Sequence, residues 1–181
     1  MNLWFRLLWL MITSRFRPRL EIPRDVSRLK GRVWPNDLDL NRHVNNGRYW
    51  TLFDLGRIDL IVRAGLIEKI TKYGWTPLLS SGAIRYRREL KLFQRFILET
   101  QVVYWEDTKV VIEHRIMTTD GKLATKARVL GGFYDRKNRR FVQANELLHL
   151  SGQSGLPSAP PDSITKDLLS MNSALKDEEG N

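Results

Sequence analysis

The 181-residue chain contains no cysteine. A disulfide framework, thiol catalysis and cysteine-based metal sites are therefore excluded, and the composition suits a reducing compartment. Histidine is scarce as well, and the separations of His43, His114 and His149 match no metal-ligand spacing. No Gly-rich loop of the phosphate-cradling type is present, and no internal repeat. The apolar run at 7–12 is far short of the ~20 residues that a spanning helix needs. Basic residues follow it in place of a small-x-small cleavage site, so a signal peptide does not fit. No resident metal or cofactor is expected.

Acids are outnumbered, with 30 lysines and arginines against 20 aspartates and glutamates, a net charge of +10. The imbalance is uneven. Residues 151–181 hold two lysines and five acids, which leaves +13 on the first 150 residues. A basic body with an acidic tail points to an anionic partner. Nucleic acid is disfavoured, because the aromatics fall in apolar patterns and are not interleaved with basic residues on one strand.

Three segments are expected. Residues 1–20 form an apolar and basic N-terminal segment with Trp4, Trp9 and Arg6, followed by Arg15, Arg17 and Arg19. This composition suits a helix lying in a membrane interface over anionic headgroups, or a short apolar helix docked on the body or on a partner subunit. Residues 21–150 form the folded domain. Residues 151–181 read as a flexible polar tail, with Ile164, Leu168, Met171 and Leu175 striping a short helix after Pro160-Pro161.

Within the domain, residues 20–34 look extended and 46–64 helical, capped by Asn45 and stopped by Gly65. Gly56 in mid-helix suggests close approach of another backbone. A shorter helix is expected over 66–72. Alternating runs at 82–89, 96–105, 110–119 and 122–134, with a stub at 140–142, are separated by turn signals. Asp120-Gly121 marks a hairpin and Gly131-Gly132 a bulge or close-packing point. One long helix followed by an antiparallel meander is an α+β arrangement, in which five or six strands wrap the helix. The sheet edges then need cover, which makes a dimer the expected state.

The stretch NDLDLNRHVNNGRYW, residues 36–50, crowds short polar side chains ahead of that helix. One reading is capping, since Asp and Asn gather in Asx-turns before helices. The other is chemical. A helix N-terminus near Asn45 and Asn46 offers open N–H groups and partial positive charge, which can hold a developing oxyanion. A nearby carboxylate could activate water or attack a carbonyl. Asp37 and Asp39 are read as separately oriented, one facing inward and one in the loop, and not as a pair sharing a proton.

Asp37-x-Asp39-x-x-x-His43-Val44-Asn45-Asn46-x-x-Tyr49, running into an apolar helix with Asp54, resembles the signature of hotdog-fold acyl-CoA thioesterases. The likeness covers roughly residues 22–150. It is greatest to the 4-hydroxybenzoyl-CoA thioesterase-like group and to a bacterial "thioesterase family protein" branch. The resemblance implies a hotdog fold, a homodimer or tetramer with sites at the subunit interface, and coenzyme A as part of the substrate. It implies that Asp39 is the catalytic nucleophile or general base. The amide at or next to Asn46 would polarise the thioester carbonyl, and His43 and Asn45 would order the loop. Asp54 and Tyr49 fall near the implied substrate site. Many family members have glycine directly before the histidine. Here that residue is Arg42, which would either narrow the pocket or bring positive charge toward a phosphate. Arg85, Arg87 and Arg88 are candidates for the phosphates of coenzyme A.

The expected activity is thus acyl-CoA hydrolysis in the cytoplasm, with the N-terminus as a further membrane contact. A hotdog dehydratase is disfavoured, because no Gly/Pro-rich stretch carries a histidine. The alternative is a hotdog protein that binds acyl-CoA or acyl carrier protein at the membrane without turnover.

Overall fold

A computed structural model describes residues 2–179. Met1 and residues 180–181, which belong to the expected terminal segments, lie outside the described residues. The elements run α1 Asn2–Ser14, β1 Ser27–Arg32, a 3-10 turn Pro35–Asp37, α2 Asn46–Arg63, α3 Ile67–Tyr73, β2 Trp75–Tyr86, β3 Arg95–Glu106, β4 Lys109–Thr118, β5 Leu123–Asp135, β6 Arg140–Phe141, α4 Ala144–Leu150 and α5 Ser163–Glu179. The strands hydrogen-bond in the order β1-β3-β4-β5-β2, with β6 beside β5. β1 and β3 are antiparallel, with Ser27 opposite Thr100, Leu29 opposite Leu98 and Arg32 opposite Arg95. This is the expected α+β architecture. The first meander strand differs from expectation, beginning at Trp75 and running through Pro77. It is the last strand in the pairing order, where a missing N–H costs no ladder bond. The helix α4 carries no amphipathic signal long enough to have been read.

The chain divides into two compact units: 1–65 with 85–101 and 114–126, and 66–84 with 102–113 and 127–181. In the first, α2 buries Tyr49, Leu52, Phe53, Leu55 and Leu60 and packs against α1 and β1. Gly56 is required by a close approach. A Cβ there would lie 2.1 Å from the Thr100 hydroxyl oxygen, so the neighbour is a buried side chain on β3 and not a second backbone. The N-terminal helix is docked on one face. Leu10 and Ser14 are buried, and just beyond the helix Arg17 reaches the fully buried Asp59 at 2.9 Å. Asp59 also accepts the Ser27 hydroxyl at 2.6 Å and pairs with Arg63. The other face of α1 leaves Trp4, Phe5, Leu8, Trp9 and Ile12 exposed. No helix among the described residues is long and apolar enough to cross a membrane.

In the second unit α5 is a seventeen-residue helix. Of the stripe read from sequence, only Leu168 lies on its buried face. Ile164, Met171 and Leu175 are exposed. Thr165 and Leu168 are buried, and Asn172 accepts the Ser81 hydroxyl at 2.6 Å. Leu168 completes a cluster with Tyr104, Val111 and Leu130. The polar partner that turns the helix is Arg128, 7% exposed. It donates to Glu113 Oε2 at 2.8 Å, to Thr165 Oγ1 at 2.8 Å and to Asp162. Asp162 caps the helix by accepting the Thr165 N–H, and Arg128 holds its carboxyl well below the usual carboxylate range. Gly131 on β5 is needed where the Leu78 carbonyl passes, 2.4 Å from the position of a Cβ.

Candidate active site

Residues 38–44 form a tight hairpin. Leu38 bridges Val44, the Asp39 N–H donates to the His43 carbonyl at 3.0 Å, and the Arg42 N–H donates back to the Asp39 carbonyl at 3.1 Å. Arg42 takes φ +62°. This is a type I turn closed by a left-handed residue, a position that favours glycine because a Cβ is strained there. The glycine common in the resembling family thus has a backbone reason at this position. The Arg42 side chain is exposed.

The two aspartates have different surroundings. Asp37 is 1% exposed. Its Oδ2 accepts Arg6 at 2.6 Å and the Trp34 N–H at 2.9 Å. Its Oδ1 lies 3.0 Å from Arg48 Nε as an ion pair and accepts no hydrogen bond among the described residues. Asp37 is therefore neutralised and structural. Asp39 keeps 23% of its side chain exposed and faces His43 Nδ1 at 3.4 Å through Oδ2. Its Oδ1 accepts the Asn41 N–H at 2.9 Å, an Asx-turn. Asp39 thus shapes the turn, as the capping reading expects, and keeps part of its carboxylate exposed.

The hairpin delivers the chain to α2. The Asn45 N–H donates to the Asp37 carbonyl and the Val44 N–H to the Leu90 carbonyl. Asn45 is the N-cap, its side chain accepting the Gly47 N–H at 2.8 Å, a contact worth about 1 kcal/mol. The Arg48 N–H turns back to the Asn45 carbonyl. The Asn46 N–H is then the first-turn amide without an acceptor among the described residues. It sits at the positive end of an eighteen-residue helix. Tyr86 donates its hydroxyl to the Asn46 carbonyl at 3.1 Å, and its ring meets Tyr49 edge-on at 5.3 Å. Tyr49 is 3% exposed, and burial raises its phenol.

The sequence-predicted residues separate into groups. Asp39, Arg42, His43, Asn45 and Asn46 share the hairpin and the helix start. Tyr49 lies one turn on, beneath Tyr86. Asp54 is half exposed and paired with Arg57, further along α2. Arg85, Arg87 and Arg88 are exposed. Arg87 and Arg88 pair through their backbone with the Ala124 carbonyl, and Arg88 also reaches the Leu123 carbonyl, so their partners are on β5 and not in the hairpin.

Sequence reasoning missed Tyr86 and a buried polar group behind α2. His114 is fully buried and stacked on Phe53 at 4.7 Å. It contacts Thr100 Oγ1 through Nδ1 at 3.0 Å and Arg57 through Nε2 at 3.1 Å. Burial, reinforced by the Arg57 charge, holds His114 well below its usual range. No spacing signal could have joined residues 57, 100 and 114, because only strand pairing brings them together.

The chain is 28% identical over 131 residues to Protein THEM6 of Xenopus laevis, covering 70% of this chain and 63% of that protein. The match thus spans less than two-thirds of the relative's length. The fold of this chain is shared by the YbaW probable thioesterase from Escherichia coli, with TM-score 0.64, 19% identity and coverage of 70% of this chain and 96% of that one. SAV2348 from Staphylococcus aureus, solved in complex with CoA, gives TM-score 0.62 at 16% identity, covering 75% of this chain and 90% of that one. The fold is the hotdog fold. The family match runs over residues 33–168, from just ahead of the hairpin into α5, and by it the chain belongs to the Thioesterase-like superfamily.

Proposed function

We propose that this protein hydrolyses an acyl-CoA thioester to the free acid and coenzyme A, with Asp39 as the reacting carboxylate. The observation that carries this reading is the pairing of an open carboxylate on a fixed turn with an open amide at the start of α2. Asp39 holds water as a general base, or attacks the carbonyl carbon itself. In the general-base route the water oxygen bonds to that carbon as its proton passes to Asp39. The developing oxyanion is stabilised by the Asn46 N–H and the positive end of the helix. Collapse breaks the C–S bond, and the thiolate takes up the proton. His43 fixes the carboxylate from one side and Asn45 fixes the helix start. Arg42, Arg85, Arg87 and Arg88 supply exposed positive charge for the phosphates of coenzyme A. A relative of the fold solved with CoA supports that substrate class.

A homodimer or tetramer is part of this reading. β2 ends the pairing order and leaves Leu78, Leu79 and Tyr86 exposed, an edge suited to a second copy. On motif wording the chain is placed nearest the 4-hydroxybenzoyl-CoA thioesterase-like group. The exposed apolar face of α1 supports a second reading, a cytoplasmic protein held at an anionic membrane surface that binds acyl-CoA or acyl carrier protein without turnover.

The test is free-thiol release from short, long and aromatic acyl-CoAs, with wild type beside Asp39→Asn. Turnover that falls by about 10²–10⁴ in the variant supports the mechanism. Equal turnover removes Asp39 from it. Binding of acyl-CoA with no turnover on any member selects the second reading.

A further inference from the structure

A cleft of about 690 Å³ opens beside the free edge of β1, within the roughly 300–1,000 Å³ typical of small-molecule sites. It contains none of the residues of the candidate active site. Its construction follows from how α1 is held. Arg6 donates to the Arg32 carbonyl at 2.9 Å, and Arg17, just past the helix, donates to the Arg28 carbonyl. These two arginines cap the outward carbonyls of the edge strand at either end. The cleft runs along α1 and the strand and is open to solvent; Phe5 and Trp9 line it from the exposed flank of α1, Trp34 and Phe96 from the strand side, with Leu52 and Leu55 of α2 behind.

The charged lining is of one sign. Arg6, Arg17, Arg28, Lys30 and Arg32 contribute to it, and among the described residues no Asp or Glu does. Three of the five are neutralised from outside the cleft: Arg6 by Asp37, Arg17 by Asp59 and Arg28 by Glu99. Lys30 and Arg32 have no ion-pair partner among the described residues. Arg32 also stands directly opposite Arg95 across the β1–β3 pair, an arrangement that repels unless an anion is near. An apolar slot with two uncompensated cations at its rim is complementary to one hydrocarbon chain ending in one negative group.

The geometry points to this cleft as a binding site for a single-chain fatty acid, with the chain among the aromatic walls and the carboxylate at Lys30 and Arg32. Binding there is separate from thioester hydrolysis and does not depend on it.

The probe is sodium hexadecanoate, which has no thioester to hydrolyse, titrated calorimetrically into the full wild-type chain. One-to-one binding is expected. Lys30→Glu/Arg32→Glu should weaken it at least tenfold while leaving the melting temperature near that of the parent. Lys30→Gln/Arg32→Gln serves if the reversal impairs folding. Hexadecanol, which has the chain without the charge, should bind at least tenfold more weakly than hexadecanoate. Vesicles of phosphatidylglycerol distinguish a bilayer source. Equal hexadecanoate affinity in the charge variants, equal binding of hexadecanol, or binding to vesicles with none to free hexadecanoate would each overturn the proposal. None of these results alters the outcome of the acyl-CoA panel.

Discussion

Arg57 Nη1 lies 3.1 Å from His114 Nε2, and this contact decides where the histidine proton sits. A guanidinium can only donate, so Nε2 must accept. Nδ1 therefore carries the hydrogen and donates it to Thr100 Oγ1 at 3.0 Å. The neutral ring is locked between two partners on the side of α2 facing β3 and β4.

That arrangement predicts acid sensitivity. The folded-state pKa of His114 is well below 6.5, so below about pH 6.5 the unfolded chain binds a proton that the native state excludes. Stability should fall as pH drops through that range, by up to about 1.4 kcal/mol per pH unit. Urea unfolding at pH 7.5, 6.5 and 5.5 measures it. His114→Gln should flatten the slope, and an unchanged slope would assign the sensitivity to other groups.

The different surroundings of Asp37 and Asp39 predict different phenotypes for loss of the carboxylate charge. Asp37→Ala strands Arg6 and Arg48 around a buried site and should cost about 3–5 kcal/mol. Asp39→Asn, on a partly exposed turn, should change stability by about 1 kcal/mol or less and act on turnover. Thermal melts run beside thiol release separate the two.

Arg42→Gly should stabilise the protein by up to about 1 kcal/mol, because it relieves a left-handed side-chain conformation. Arg42→Val should destabilise it, since a branched Cβ is poorly tolerated at positive φ. Chemical denaturation of the two variants tests the backbone argument apart from any effect of charge on coenzyme A binding.

Gly56→Ala would stabilise an exposed helix by about 1 kcal/mol. Here the added methyl meets Thr100, which is itself bonded to His114, and the expected result is a loss of about 1–3 kcal/mol. The sign of the change in denaturation midpoint is sufficient to decide.

Arg128→Ala should cost about 3–5 kcal/mol, since Glu113 loses its buried partner and α5 loses its clasp. Asp162→Asn, on a half-exposed residue, should cost less. Limited proteolysis should show the tail of Arg128→Ala cleaved before the rest of the chain, and equal protection would remove the clasp role.

Much of the local structure was legible in the residues. Asn45, followed by apolar positions at helical spacing and closed by Gly65, specified α2 to within a residue of its observed end. The alternating runs located β3, β4 and β5. The motif at 36–50 was visible because hairpin, cap and helix start are contiguous in sequence, so the physics that joins them is local. Of the stripe on α5, Leu168 is buried as read, but Ile164, Met171 and Leu175 are apolar and exposed, because the buried edge is set by Arg128, 34 residues before Asp162. Periodicity reports apolar spacing and cannot report which long-range ion pair orients a helix.

The sequence by itself determined the α+β class, the position of the long helix, and the crowding of carboxylate, histidine and asparagine at its start. Propensity, capping and turn chemistry act over a few residues and leave their signature there. Only the tertiary structure decided which aspartate is neutralised and which stays open. Asp37 meets Arg6, 31 positions away, and is extinguished as a reactive group. Asp39, two residues on, meets among the described residues its own turn and His43. Burial and ion pairing are properties of what the fold brings together.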